Sequence, residues 1–174
     1  FPNSVFRSNE MRQFVGNIVH ERGHAFAAEA AEVFRSAGYQ TKLEVELTSL
    51  GASKKDGLGD VDVLSWDTNL GRVYAAECKR LRTAATIREV VQRLEEFKGS
   101  REEKDALFRH TRRIEWLKGH LPALSKLSGI PVDKIKLCPL LITSEAVPMQ
   151  FFQALQVPTN QVVSFGDLAK LVAK

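Results

Sequence analysis

The fold is decided by two neighbouring runs, Gly59-Asp60-Val61-Asp62-Val63-Leu64 and Arg72-Val73-Tyr74-Ala75-Ala76-Glu77-Cys78-Lys79. A polar turn at residues 67–71, which contains an asparagine and a glycine, separates them. Two runs rich in apolar residues with such a turn between them predict a β-hairpin. Residues two apart on a strand point to the same face, so Val61, Val63, Ala76 and Cys78 are expected to face a core.

The charged residues of this hairpin are expected to gather on the opposite face. The same alternation places Asp60 with Asp62, and Glu77 with Lys79. Three carboxylates brought together raise one another's pKa and cost stability unless a cation lies among them. A hard divalent cation with oxygen ligands is the simplest resolution. A Glu-x-Lys on an exposed strand is also common by chance, so this motif alone does not define a site.

The arrangement resembles the PD-(D/E)xK nuclease superfamily. Asp62 matches the aspartate of one strand, and Glu77-Cys78-Lys79 matches the Glu-x-Lys of the next strand. The helical stretch at about 23–37, which ends in Gly-Tyr, contains Glu29, the match for the helix glutamate of that family. Val61 stands where the family motif has proline. The resemblance implies a three-layer α/β/α, restriction-endonuclease-like fold with a mixed sheet and an α-β-β-β-α-β core plus extra helices.

The resemblance also implies a metal-dependent DNA nuclease, an endonuclease in the first instance. Asp62 and Glu77 would bind Mg²⁺, for which Mn²⁺ could substitute, together with the backbone carbonyl of Cys78. Glu29 would hold a second ion or its water, and Asp60 is a further candidate ligand. Lys79 would orient or deprotonate the attacking water.

Composition predicts one globular domain over residues 1–174, with an N-terminal helix at 1–22 and a helical insertion at 100–130. The chain is 44% hydrophobic and 26% charged, and no apolar run is long enough to span a membrane. It begins at Phe1 rather than Met, so we expect a piece of a longer protein with further domains. Cys78 and Cys138 lie in apolar runs as expected of buried free thiols, which favours a cytoplasmic location.

Positive charge is concentrated after the Glu-x-Lys motif. Between residues 79 and 118 there are twelve basic and seven acidic residues, whereas the whole chain has a net charge of +4. This asymmetry favours a polyanionic partner such as DNA, although many basic helices are only solvated. The residues expected to contact nucleic acid are Arg80, Arg82, Arg88, Lys54 and Lys55. A homodimer remains an open alternative.

Periodicity predicts the remaining elements. A helical pattern at 9–20 is interrupted at Gly23 and resumes at 25–37. Strands are expected at 41–47, 135–143 and 161–164, and further helices at 87–97, 101–118, 121–127, 148–155 and 166–172.

Two alternatives from other classes remain open. His20-Glu21-Arg22-Gly23-His24 matches the His-Glu-x-x-His pattern of zinc proteases, whose third ligand would have to be Glu29, Glu32, Glu44 or Glu46. Against it stand the charge of Arg22, the glycine and the absence of a downstream signature. The other alternative is a nucleic-acid-binding or interaction domain with the same fold and little or no catalysis, in which Trp116 would belong to a docking surface.

Overall fold

A computed structural model describes residues 8–81, 84, 86–96, 106–146 and 161–173. The helices are α1 (Asn9–Ser36), α2 (Ile87–Glu96), α3 (Ala106–Gly119), α4 (Leu121–Ser128) and α5 (Phe165–Val172). The strands are β1 (Gln40–Glu46), β2 (Asp60–Asp67), β3 (Arg72–Lys79), β4 (Lys136–Thr143) and β5 (Val162–Ser164). Short 3₁₀ turns lie at Leu47–Leu50, Lys54–Asp56 and Val132–Lys134.

The five strands form one mixed sheet in the order β1-β2-β3-β4-β5. β1, β2 and β3 are antiparallel neighbours, whereas β3, β4 and β5 run parallel. The predicted hairpin and the predicted mixed sheet are therefore confirmed.

Two apolar cores cover the two faces of the sheet and give the three-layer α/β/α architecture that the sequence predicts. The first core joins α1 and α5 to the sheet through residues that include Phe26, Phe34, Val63, Ile142 and Leu168. The second joins α3 and α4 to the other face through residues that include Leu64, Val73, Ile114, Leu117 and Leu124. Burial on both faces explains why β4 reads as a nearly continuous apolar run.

The turn between β2 and β3 fixes the hairpin. The carboxylate of Asp67 accepts hydrogen bonds from the backbone N–H of Asn69 (2.8 Å) and Leu70 (3.0 Å). Gly71 adopts φ +65°, and a Cβ there would lie 2.4 Å from the carbonyl oxygen of Lys134. Only glycine fits this position, for both conformational and steric reasons.

Gly23 does not interrupt α1, which corrects the prediction of a separate N-terminal helix at 1–22. The helix is continuous over 28 residues and begins after Ser8, whose hydroxyl accepts a hydrogen bond from the N–H of Met11. One glycine in a helix costs only about 1 kcal/mol relative to alanine. Burial of Phe26 and Phe34 against the sheet outweighs that cost. As a result, His20 and His24 lie on one helix, one turn apart.

At the start of β2, the side chains do not alternate regularly between the two faces of the sheet. Val61 belongs to the second core and Val63 to the first, although both were expected to face one core. The register pairs Leu43 with Val63 and Val45 with Val61, so Glu44 of β1 lies opposite Asp62. Glu44 has φ +51°, a left-handed conformation that breaks the regular pleat at this point.

The other predicted elements agree with the structure to within a few residues where they are described. The helix predicted at 148–155 and the start of the helix predicted at 101–118 lie outside the described residues, as does Arg82. None of the helices in the described ranges is long and apolar enough to cross a membrane.

Candidate active site

A cleft of about 430 Å³ opens where α1 passes the start of β2 and the end of β3. Its size is within the range of ligand sites, which is about 300–1,000 Å³. Asp60, Asp62, Glu77 and Lys79 all line it. The fold therefore brings the four charged residues of the hairpin motif into one cavity.

Asp62 is held in place by a backbone hydrogen bond. Its Oδ2 accepts from the N–H of Cys78 on the neighbouring strand at 2.6 Å. Burial and the nearby charge of Glu77 raise the pKa of Asp62 to about 6, against the opposing effect of that hydrogen bond. An anion at Asp62 is thus disfavoured in the folded protein unless a cation compensates it.

Glu77 is buried and bound by two cations. Its Oε1 lies 2.7 Å from Nζ of Lys79, and its Oε2 accepts a hydrogen bond from Nη1 of Arg113. Burial acts to raise the pKa of Glu77, but the charges of Lys79 and Arg113 outweigh burial and hold this pKa below its usual value. Glu77 is therefore ionised at neutral pH, unlike a buried carboxyl without partners.

Arg113 lines the cleft, and the charges of Glu77, Lys79 and Arg113 act on His110, although the sequence pattern places neither residue in the site. Arg113 is buried on α3, and its Nε donates to the carbonyl oxygen of Leu58 at 2.6 Å. His110 lies one turn earlier and is also buried; burial lowers its pKa to about 4, so the ring is neutral at neutral pH. Its Nε2 has no hydrogen-bond partner among the described residues. In the sequence, the i, i+3 spacing of the two residues on a predicted helix indicates that they share one face of that helix.

The donor set suits one hard cation bound partly by water. Within the described part of the chain, no group of three or more His, Cys, Asp or Glu side chains is arranged to hold a metal ion. Asp62 and Glu77 nevertheless supply two carboxylates, and Mg²⁺ is commonly held by one or two carboxylates plus water and substrate phosphate. The raised pKa of Asp62 marks the charge that such an ion would compensate.

Glu29 does not lie in the cleft. It is exposed, and it lines a separate groove between α1 and α5 together with Glu32 and Phe165. The buried stripe of α1 includes Phe26, Ala30 and Phe34, so Glu29 points to the other side of the helix. Ala27 is the residue of this helical turn that lines the cleft, and it cannot ligate a metal.

The cationic rim of the cleft differs from the predicted one. Arg80 lines the cleft as expected, and exposed Arg109 of α3 joins it. Arg88 is exposed on α2 outside the cleft lining. Lys54 borders a different cavity, and Lys55 is exposed on the same 3₁₀ turn.

The thiols are free. Burial, with the nearby charges of Asp62 and Glu77, raises the pKa of Cys78 well above its ordinary value, so this thiol stays neutral. Cys138 is free as well, and burial raises its pKa. Cys78 contributes to the site through its backbone.

His20 and His24 also line the cleft, and Glu44 lies beside them. Nδ1 of His24 is hydrogen-bonded to Oε1 of Glu44, and its Nε2 lies 2.7 Å from Nε2 of His20. Glu44 and His20 therefore bind opposite nitrogens of His24 and cannot converge with it on one metal ion. Glu21 is exposed and outside the cleft lining, so the geometry disfavours the zinc-protease alternative.

Comparison with known protein families gives a match over nearly the whole chain. The family described as "Anti-phage protein Upx-like" matches residues 1–169, nearly the whole chain. No curated protein and no solved structure matches the chain significantly. The chain belongs to the anti-phage protein Upx-like family, which associates it with defence against phage.

Proposed function

We propose that this protein is a metal-dependent nuclease that hydrolyses phosphodiester bonds of DNA in the course of phage defence. The observation that carries the proposal is the joint placement of Asp62, Glu77 and Lys79 in one open cleft with arginines at its rim. Family membership supplies the biological setting. The chemistry rests on the residues of the cleft.

The carboxylates would hold Mg²⁺. Asp62 keeps Oδ1 available because Oδ2 is bound to the N–H of Cys78. Glu77 would become a ligand by exchanging its contact with Lys79, which is part-exposed and carried on a flexible chain. A bound Mg²⁺ would lower the pKa of a coordinated water and offset charge on the phosphoryl oxygens.

The other residues would act on the substrate directly. Lys79, once displaced from Glu77, would donate a hydrogen bond to a phosphoryl oxygen or to the attacking water. Arg113 would keep Glu77 ionised and oriented. Arg80 and Arg109 would hold the neighbouring phosphates of the strand.

The test is cleavage of plasmid and linear DNA by the purified protein in Mg²⁺ or Mn²⁺, with EDTA as the negative control. The Lys79→Ala variant should lose about 10²-fold or more in rate, because it removes a contact to the charge that develops in the transition state. Lys126→Ala, which changes an exposed lysine of α4 outside the cleft lining, is the matched control and should cleave normally. Normal cleavage by Lys79→Ala would refute the assignment.

A second candidate is a DNA-binding domain without catalysis. Both oxygens of Glu77 are occupied by cations, and α1 presents Ala27 rather than an acidic residue to the cleft. Such a domain would shift DNA in a gel in EDTA and would show no cleavage in any divalent metal. The same two assays therefore separate the candidates.

A further inference from the structure

Glu44 is a strained residue on the wall of the cleft. Its φ of +51° makes it the one non-glycine residue with a positive φ among those described. A non-glycine residue in this region typically costs about 1 kcal/mol or more, and such residues persist where their surroundings hold them. Here the conformation places the carboxylate against His24, in the cleft that holds Asp62.

Glu44, His24 and His20 form a hydrogen-bonded chain whose protons can be assigned. An ionised carboxylate only accepts, so the proton between Glu44 and His24 belongs to Nδ1 of His24. Nε2 of a neutral His24 is then an acceptor, and Nε2 of His20 must donate across the 2.7 Å contact. Glu44 thereby fixes the tautomer of His24 and keeps a proton on Nε2 of His20, so that a proton on Nδ1 of His20 belongs to its imidazolium form. Nδ1 of His20 has no hydrogen bond to any of the described residues and remains for a ligand.

The stability of the fold does not depend on this hydrogen-bonded chain of three side chains. The side chains of His24 and Glu44 are 40% and 47% exposed, and His20 is exposed as well. Exposed pairs of this kind contribute only about 0–1 kcal/mol. A strained backbone at Glu44 offsets part of even that gain, so the arrangement is better explained by action on a ligand than by folding.

The histidines are the only ionisable side chains that α1 contributes to the cleft within the described residues. The strands contribute Asp62, Glu77 and Lys79 to the same cavity. In phosphodiester hydrolysis the attacking and leaving oxygens lie roughly in line on opposite sides of phosphorus. A group that protonates the leaving oxygen must therefore come from a different part of the cleft than the groups that bind or activate the attacking water.

We propose that His20, oriented by Glu44 through His24, is a catalytic residue that protonates the leaving oxygen. This inference rests on the proposed nuclease function. The water oxygen attacks phosphorus, the bond from phosphorus to the leaving sugar oxygen breaks, and its electron pair stays on that oxygen. The imidazolium form of His20 gives the proton on Nδ1 to this oxygen and keeps the proton on Nε2. The attacking water releases one proton to solvent, and solvent returns a proton to Nδ1 of His20. The products are a phosphate monoester and an alcohol.

The test compares two leaving groups at a cleavage position first mapped with the wild-type protein. One DNA carries the natural oxygen at the bond that breaks, and the other carries a bridging sulfur there, which leaves without a proton. His20→Gln should slow the oxygen substrate by about 10²-fold or more, the usual contribution of general acid catalysis, and should slow the sulfur substrate by less than about threefold. Glu44→Gln should give a smaller loss with the same preference for sulfur.

Controls separate this role from a structural one. Glu21→Gln changes an exposed residue of the same helix outside the cleft lining and should alter neither rate. His20→Gln should melt at the wild-type temperature and bind DNA in Ca²⁺ with wild-type affinity. Equal losses on both substrates, or no loss on either, would overturn the role of His20 while the nuclease proposal stands. A wild-type protein that cleaves no DNA in Mg²⁺ or Mn²⁺ would refute both.

Discussion

Replacing Arg113 by methionine should destabilise the protein strongly, because the change leaves a buried carboxylate short of a partner. The Arg113 side chain is 10% exposed and that of Glu77 is 5% exposed, so solvent cannot replace their contact. The variant also leaves the carbonyl oxygen of Leu58 without its 2.6 Å hydrogen bond from Nε. Removing one partner of a buried ion pair typically costs about 3–5 kcal/mol. We expect a loss of that size in the free energy of unfolding at neutral pH.

The loss of stability in Arg113→Met should become smaller as the pH falls. The folded-state pKa of Glu77 is lowered, so the pair contributes stability above the unfolded-state pKa and that contribution is lost as the pH falls through the folded value. In Arg113→Met, burial is opposed chiefly by Lys79, so the pKa of Glu77 should rise. The deficit of the variant should therefore be largest near pH 7 and shrink toward about pH 4.

Urea denaturation followed by tryptophan fluorescence measures both effects. Arg112→Met is the matched control, since Arg112 is exposed and makes one 3.0 Å hydrogen bond to the carbonyl of Asp56. This variant should lower the free energy of unfolding by less than about 1 kcal/mol. Combining Arg113→Met with Glu77→Gln should cost less than the sum of the two single changes by about 1–3 kcal/mol. A cost below about 1 kcal/mol for Arg113→Met, with additive behaviour in the double variant, would refute the buried pair.

Two further predictions concern Asp62 and the rim. Because burial and Glu77 raise the pKa of Asp62 to about 6, its ionisation destabilises the folded state as the pH rises from about 4 to 6. Asp62→Asn should therefore be more stable than wild type by about 3 kcal/mol at pH 7.5 in metal-free buffer, and the two proteins should be equally stable near pH 4. Mg²⁺ should not stabilise the variant. Denaturation curves that fail to diverge with pH would contradict this prediction. Replacing Arg80 and Arg109 by Ala should make the slope of log affinity for DNA against log salt concentration shallower by about one to two units, measured in Ca²⁺. Lys126→Ala should leave this slope unchanged. An unaltered slope in the Arg80/Arg109 double variant would mean that DNA approaches elsewhere.

The sheet could be predicted because its signals are local. The hairpin from Asp60 to Lys79 has apolar runs on both sides of a turn that Gly71 makes unambiguous, and β4 is a long apolar run. The continuity of α1 could not be predicted from propensity, since a glycine is unfavourable in any helix. Packing of the α1 stripe on the sheet decided it, and packing is not local information.

The candidate site could be predicted only in part. Asp62, Glu77 and Lys79 follow from strand geometry, whereas Glu29 rests on its match to the helix glutamate of the nuclease superfamily. The stripe formed by Phe26, Ala30 and Phe34 identifies the packed face of the helix better. Arg113 contacts Glu77 across 36 positions, and no periodic pattern encodes a contact between a helix and a strand that far apart in the chain.

The charges of the cleft explain why Asp62, rather than Glu77, would dominate cation binding. Glu77 already has Lys79 and Arg113 as partners, and its lowered pKa reflects that compensation. Asp62 accepts one hydrogen bond from a backbone N–H, and burial together with the neighbouring carboxylate of Glu77 raises its pKa despite the nearby charge of Lys79. A cation that enters the cleft therefore gains most at Asp62, and it competes there with a proton. Since Lys79 and Arg113 already balance Asp62 and Glu77 in charge, a divalent ion leaves an excess of positive charge that a phosphate can neutralise. Metal and nucleic acid should accordingly favour each other's binding in this cleft.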